Sequence, residues 1–329
     1  MLEIFIQKGV QMGKGIGFGK VILFNEHFVV YGVPGIVSAI DSAAYAQVRK
    51  TRKGVTLIDE RKGAKGYAEK KKTQQKDSIE RMLKAMGLDP ESVSLKIWLG
   101  GNLPGFSGIG ASAASSVAIA RAVAEELDLH LSNERINDIA YEAEKAYAGT
   151  PSGIDNTAAT YGGLLWFKKA QCGMPNAIEK LGIEKPVEIV IGNTGIVADT
   201  KEMVAGVAAR RKKNPRKHNQ LCRQAEELAL AAKESMVDYN LRRVGELMND
   251  NHLLLKELEV SCEELDYLVN LARGQGAFGA KLTGGGGGGC MVALTPGRAL
   301  QEKVADTIES EGFQVLKTRI GIQSKSGAC

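Results

Sequence analysis

Apolar and polar positions along the chain alternate with two different periods, so strands and helices are interleaved from end to end. "KVILFNEHFVVYG" (20–32) is rich in β-branched and aromatic residues around a polar "NEH" break, which predicts two strands or a strand and a bend. "AYAQVRKT" and "VTLIDER" continue the strand signal, and the charged stretch 61–76 reads as a solvated loop leading into a helix. "SLKIWLGGNLPGFSGIGAS" runs from a strand into a glycine-rich turn. A helix begins near Ser112, where Ile119, Val123 and Leu127 recur at spacing four. A second helix follows through "NERINDIAYEAEKAYAG", with Asn133 as N-cap and Gly149 as its stop. "TPSGIDNTAATYGGLLWF" supplies a loop, a helix start of small residues and a strand.

After Pro186 the pattern restarts. "VEIVIG" is a strand, and helical stretches are predicted at about 200–212, 218–236, 241–257 and 261–273. Strands "AFGAKLT" and "CMVALT" flank a run of six glycines, Gly284 to Gly289, and a helix from Arg298 leads to a last strand "FQVLKTR". No internal repeat is visible. At 329 residues the chain exceeds one comfortable core. The expectation is therefore an α+β or α/β protein of two domains, 1–185 and 186–329.

Composition narrows the classes. A hydrophobic content of 44% and a charged content of 25% describe an ordinary globular chain. The formal charge of +5 suits a polyanionic small ligand without pointing to nucleic acid or membrane. Five dispersed cysteines with no CxxC pair suggest neither a zinc site nor a disulfide framework. The apolar run near the N-terminus is too short for a signal peptide, and no stretch is long enough to span a bilayer; the expected setting is the cytoplasm. The glycine run would ordinarily be a flexible linker, yet strand signals flank it on both sides.

Candidate chemistry gathers at a few places. "PGFSGIGASAASS" (104–116) is a glycine-rich turn entering a helix, where unpaired N–H groups and the helix dipole favour phosphate. It is not a Walker A loop, and "GKGIGFGK" (13–20) is not one either. Glu144, late on its helix, and Asp155, in a loop of small residues, are carboxylates able to meet a ligand or Mg²⁺. Lys20, Glu26 and His27 lie among apolar strand residues, where charges need partners. Each also has a plain structural reading: a cap, a solvated acid, an edge-strand charge, a satisfied histidine.

Together they carry a resemblance. "GKVILFNEHFVVYG", "SGIGASAASS" and "KLTGGGGGGC" occur in order across nearly the whole chain, and the sequence resembles the GHMP small-molecule kinases. "EHFVVYG", "GTPSGIDN" and "ADTKEMV" are similar to the mevalonate kinase branch of that family. The resemblance implies a two-domain fold, with an N-terminal ribosomal-S5-domain-2-like domain and a C-terminal ferredoxin-like domain. It implies ATP- and Mg²⁺-dependent phosphorylation of the primary hydroxyl of mevalonate. Phosphomevalonate kinase or another GHMP alcohol kinase is the alternative.

The same resemblance implies the site. Asp155 would be the base or orienting carboxylate, and Lys20 would stabilise the developing alkoxide. Ser107, Gly108, Ile109, Gly110, Ala111 and Ser112 would cradle the ATP phosphates, with Ser112 and Glu144 on Mg²⁺. Glu26, His27 and Thr200 would lie with Lys20 and Asp155 at the mevalonate pocket. Gly284, Gly285, Gly286 and Gly287 would form an ordered wall of the site, so that Gly286→Ala harms activity more than stability.

Phe106, Ser107, Ala111 and Asn25 depart from the usual motifs, which bears on the nucleotide contacts and the substrate pocket. "RRKKNPRK" (210–217) is a basic run with no interleaved aromatic residue, and reads as a solvated helix end rather than a nucleic-acid site. The expected partner is the small-molecule substrate, with neither nucleic acid nor membrane, and a homodimer is left open.

Overall fold

The computed structural model describes residues 12–61, 67–106, 108–170 and 176–322, with only the backbone given for 67–71. The N-terminal segment 1–11, Ser107, Cys172 and Cys329 lie outside the described residues.

A long strand organises the N-terminal half. β2 (Gly35–Lys50) pairs along one edge with β1 (Gly13–Phe24), antiparallel. Its other edge is shared: β4 (Leu95–Gly101) takes residues 44–50 and β5 (Leu164–Lys168) takes 35–38. β3 (Thr56–Asp59) runs parallel to β4, and β6 (Ala177–Leu181) closes the far edge. Among the described residues four α-helices belong to this half: α1 (Tyr67–Ala85), α2 (Ala111–Glu126), α3 (Asn133–Ala148) and α4 (Ile154–Tyr161).

The second sheet starts with β7 (Val187–Asn193), after a connection at 182–186. Helices α5 (Thr200–Lys213), α6 (Pro215–Val237), α7 (Leu241–Glu257) and α8 (Glu263–Gly274) precede β8 (Gly279–Thr283) and β9 (Cys290–Leu294). Helix α9 (Arg298–Ser310) and β10 (Gln314–Ile320) end it. The strand order is β10-β7-β9-β8, all antiparallel. Numbered within the unit this is 4-1-3-2, the ferredoxin-like βαββαβ arrangement with an enlarged first crossover. Alternate residues of this sheet feed two cores. Ile189, Ile191 and Val292 join the main core with Val21, Leu23 and Val117, whereas Val190, Met291 and Leu282 pack with Leu265, Val269 and Ile308.

One contact places the start of α2. Gly13, Gly15 and Gly17 present the same face of β1 to the helix, and a Cβ on them would come within 2.1, 2.0 and 2.0 Å of the carbonyl oxygens of Ala122, Ala118 and Ala114. The helix backbone therefore lies directly on the strand. The two halves are tied by Thr283, whose hydroxyl accepts from Ile22 N at 3.0 Å and lies 3.1 Å from Ile22 O.

Several local expectations change. β1 reaches back to Gly13, because its alternating glycines buy close packing rather than a turn. Of the two expectations for 20–32 the strand and bend holds: residues 28–31 form a short 3-10 helix stopped by Gly32 at φ 83°. Helix α1 begins at Tyr67, inside the stretch expected to be a loop. The N-cap of α3 is Ser132, whose hydroxyl accepts from Arg135 N, rather than Asn133. Strand β6 is unforeseen: its residues are mostly exposed, so its sequence lacks the apolar alternation of a half-buried strand. Among the described residues no helix is long and apolar enough to cross a membrane, and Cys222, Cys262 and Cys290 are free thiols.

Candidate active site

One cavity gathers Lys20, Glu26, His27, Gly108, Gly110, Ala111, Ser112, Glu144, Asp155, Thr200, Gly284 and Gly285. Its floor is the N-terminus of α2. Gly110 caps that helix in a left-handed conformation (φ 70°) and offers no side chain to the first-turn N–H groups. Those donors and the helix dipole make an anion cradle. Ile109 is fully buried beneath it and accepts from Lys20 N at 2.9 Å. Ser107 is outside the described residues.

Lys20 comes from β1 and is 2% exposed. Its stem packs on Gly110, where an added Cβ would lie 2.7 Å from Lys20 Cγ. Its Nζ is 2.5 Å from Asp155 Oδ1 and donates to Gly108 O at 3.3 Å. Asp155 sits in the first turn of α4, at the positive end of that helix. Asp155 Oδ1 is buried against Lys20, while the Asp155 side chain as a whole is 34% exposed, so the carboxylate still presents a face to a ligand hydroxyl.

Ser112 Oγ donates to Glu144 Oε2 at 3.1 Å across the α2–α3 contact. A buried carboxylate and a hydroxyl beside a phosphate cradle are hard oxygen donors, and this set fits Mg²⁺, which takes one or two protein oxygens along with substrate phosphates and water. No cluster of three or more His, Cys, Asp or Glu suited to a metal occurs among the described residues. The protein part of such a site is correspondingly small.

Glu26 and His27 follow β1. Glu26 forms an ion pair with Lys281 of β8, and both side chains are buried, at 1% and 0% exposure. Burial pushes the Glu26 carboxyl upward, opposed by the charge of Lys281. Burial pushes Lys281 downward, opposed by Glu26. His27 Nε2 bonds to Gly285 O at 2.8 Å, and burial holds its pKa below the usual histidine range.

The glycine run is an ordered connection between β8 and β9. A Cβ on Gly284 would lie 2.5 Å from Gly108 Cα, so this loop touches the phosphate loop, and Gly285 faces Thr200. Gly286 and Gly287 do not line the cavity. A Cβ on Gly286 (φ 71°) would come 2.0 Å from Val260 O, and one on Gly287 (φ 66°) would come 2.8 Å from Met203 Sδ. Their smallness serves packing behind the wall, which reverses the expectation that Gly286→Ala spares stability. At the end of the run Cys290 is fully buried, which pushes its thiol up to about 12.

The motif departures resolve differently. Phe106 and Ala111 are buried and line the cavity. Asn25, at φ 74°, does not line it: its Nδ2 donates to Pro34 O and Ala225 O, and its Oδ1 accepts from Asn251 Nδ2. Asparagine tolerates the left-handed conformation that glycine usually fills, and here it also anchors α6 and α7. The basic run forms the last turn of α5 and the start of α6. Arg211 stacks on Tyr31, while Arg210 and Lys217 face Glu259 and Glu257 at 3.7 and 4.0 Å. Cations at a helix C-terminus complement its dipole.

Two residues escaped the sequence reading. Lys281 was detectable as a lone charge in an apolar strand. Arg61 donates to Ser115 Oγ at 2.8 Å and to Ala111 O at 3.4 Å, bracing the first turn of α2. Nothing in its sequence surroundings marks that role.

Known proteins share this arrangement. Residues 75–163 match the GHMP kinases N terminal domain, and residues 225–314 match the GHMP kinases C terminal domain. A mevalonate kinase of Pyrococcus abyssi is 36% identical over 329 residues, covering 94% of this chain and 94% of the relative. One from Pyrococcus horikoshii is 36% identical, covering 92% and 93%. The crystal structure of L. major mevalonate kinase in complex with R-mevalonate has a TM-score of 0.87 at 34% identity, covering 96% of this chain and 98% of that one. With its phosphate cradle, acid–lysine pair and glycine wall in one cavity, the chain belongs to the GHMP kinase family, in the mevalonate kinase branch.

Proposed function

We propose that this cavity transfers the γ-phosphoryl group of ATP to the primary hydroxyl of mevalonate, giving 5-phosphomevalonate and ADP. The observation that carries the reading is the Lys20–Asp155 pair, 2.5 Å apart, lying against the phosphate cradle at the N-terminus of α2. The similar L. major enzyme is described in complex with R-mevalonate, which supports the choice of acceptor.

Phosphoryl transfer asks a protein mainly to position reactants and to neutralise charge. In this reading the acceptor hydroxyl lies beside Asp155, which orients it and takes its proton. Lys20 Nζ, held by Asp155 and Gly108 O, meets the negative charge developing on that oxygen. The unpaired N–H groups of the loop ending at Ser112 hold the phosphates of ATP. Ser112 and Glu144 would hold Mg²⁺, which when bound neutralises phosphate charge. Glu26, His27 and Thr200 line the cavity and in this reading face the acceptor, and a domain division at 185/186 is supported by the connection at 182–186 between β6 and β7.

A coupled ADP-release assay over mevalonate, phosphomevalonate, galactose and homoserine tests this. Turnover is expected on mevalonate, and turnover on one of the others with none on mevalonate would refute the reading.

A further inference from the structure

We propose that Lys281 is a positioning residue for this reaction: by clamping Glu26 Oε1 it leaves Oε2 as the acceptor for a hydroxyl of the phosphoryl-acceptor substrate. The inference rests on the functional reading above and adds a residue to it. Lys281 lies outside the cavity lining, whereas Glu26 is part of it. The lysine reaches Glu26 from β8 and is fixed at its other side by donating to Leu282 O at 2.7 Å. Glu26 Oε1 is thereby occupied, and Glu26 Oε2 is buried with no hydrogen-bond partner among the described residues. A buried carboxylate oxygen without a partner is costly. A ligand hydroxyl in the cavity would satisfy it.

Burial raises the pKa of Glu26, and the neighbouring lysines oppose that rise. Lys20 approaches from β1 and Lys281 from β8, and both act on this carboxylate. His27 follows it in the chain and is held toward its neutral form. His252 of α7 lies near Lys281, and burial lowers its pKa to about 4, so it adds no charge at neutral pH. Without Lys281 the desolvation of Glu26 is opposed only by its own backbone hydrogen bond and, more weakly, by Lys20, and the carboxyl takes up a proton at higher pH. A protonated Glu26 accepts poorly from a substrate hydroxyl. Lys281 thus acts on the acceptor through Glu26, not by touching it.

The test is the pH profile of kcat/KM for mevalonate in Lys281→Met. We expect its acid limb to move up by at least about one pH unit, a tenfold loss of activity at a fixed pH on that limb, with KM for ATP within about twofold of the parent. Lys281→Arg should restore the parental limb. Lys281→Met combined with Glu26→Gln should be weak but free of the shifted limb. Removing both charges also avoids an unpaired buried carboxylate, so this variant serves if the single one does not fold. Parental turnover on mevalonate with an unshifted limb in folded Lys281→Met would overturn the role of Lys281. So would a shifted limb that persists in the double variant. Absence of turnover by the parent protein would instead overturn the functional reading.

Discussion

Adjacent glycines of the run should respond to alanine in opposite ways. Gly286 sits at φ 71°, and an added Cβ would meet Val260 O at 2.0 Å. A left-handed conformation costs an L-residue about 1–2 kcal/mol. Relieving the overlap with a backbone carbonyl costs about another 1–3 kcal/mol. Reduced unfolded-state entropy returns only about 0.4–1 kcal/mol. Gly286→Ala is therefore expected to lose about 1–5 kcal/mol, lowering Tm by at least about 2–4 °C.

Gly285 has no positive φ, and its Cβ would meet the movable Thr200 hydroxyl at 3.1 Å, at the edge of the cavity. Gly285→Ala should keep its Tm within about 2 °C while losing about tenfold in kcat/KM, equivalent to about 1.4 kcal/mol of transition-state binding. Thermal melts of both variants beside the ADP-release assay decide the matter. An unchanged Tm in Gly286→Ala, or a larger Tm loss in Gly285→Ala, would refute the division between packing and lining glycines.

Other expectations are simpler to state. Asp155→Asn and Lys20→Met should lower kcat at least about a hundredfold with little change in ATP affinity, since both groups act where charge develops; single-turnover rates with nucleotide titrations would check this. Glu144→Gln should raise the Mg²⁺ concentration needed for half-maximal rate several-fold, measured at fixed ATP. His252 carries a folded pKa of about 4 against 6.5 for the free side chain, so the unfolded chain binds its proton first as pH falls. Stability should drop by up to about 3 kcal/mol between pH 6.5 and 4. Denaturant melts across that window should show a shallower fall in His252→Gln.

Motif residues were legible in the sequence because chemistry restricts their types, and the cavity brings Lys20, Ser112, Glu144 and Asp155 together. Helices α6 to α8 were legible from their apolar stripes. What escaped had misleading local signals. "FVVY" is apolar and β-branched, yet it winds into a 3-10 turn because Phe28 and Val29 bury one after the other and Gly32 stops it. Gly13, Gly15 and Gly17 gave no strand signal because their partners, the carbonyls of α2, are about a hundred residues away. Lys281 and Glu26 each looked like an isolated charge, and 255 residues of chain separate the two halves of their pair.

The contact between β1 and α2 works as a ruler. Two strand residues span about 6.7 Å and four helix residues about 6.0 Å. The two gratings therefore stay nearly commensurate for a few steps and then drift. Gly13, Gly15 and Gly17 keep step with Ala122, Ala118 and Ala114, and the next helix mark in that series is Gly110. At that point the β1–β2 register is irregular, with Phe18 opposite Ala43 and Lys20 opposite Ala39, and the Lys20 side chain lies against Gly110. The seating of β1 on α2 thus carries the lysine stem to the phosphate cradle, where Asp155 and Gly108 O fix its ammonium.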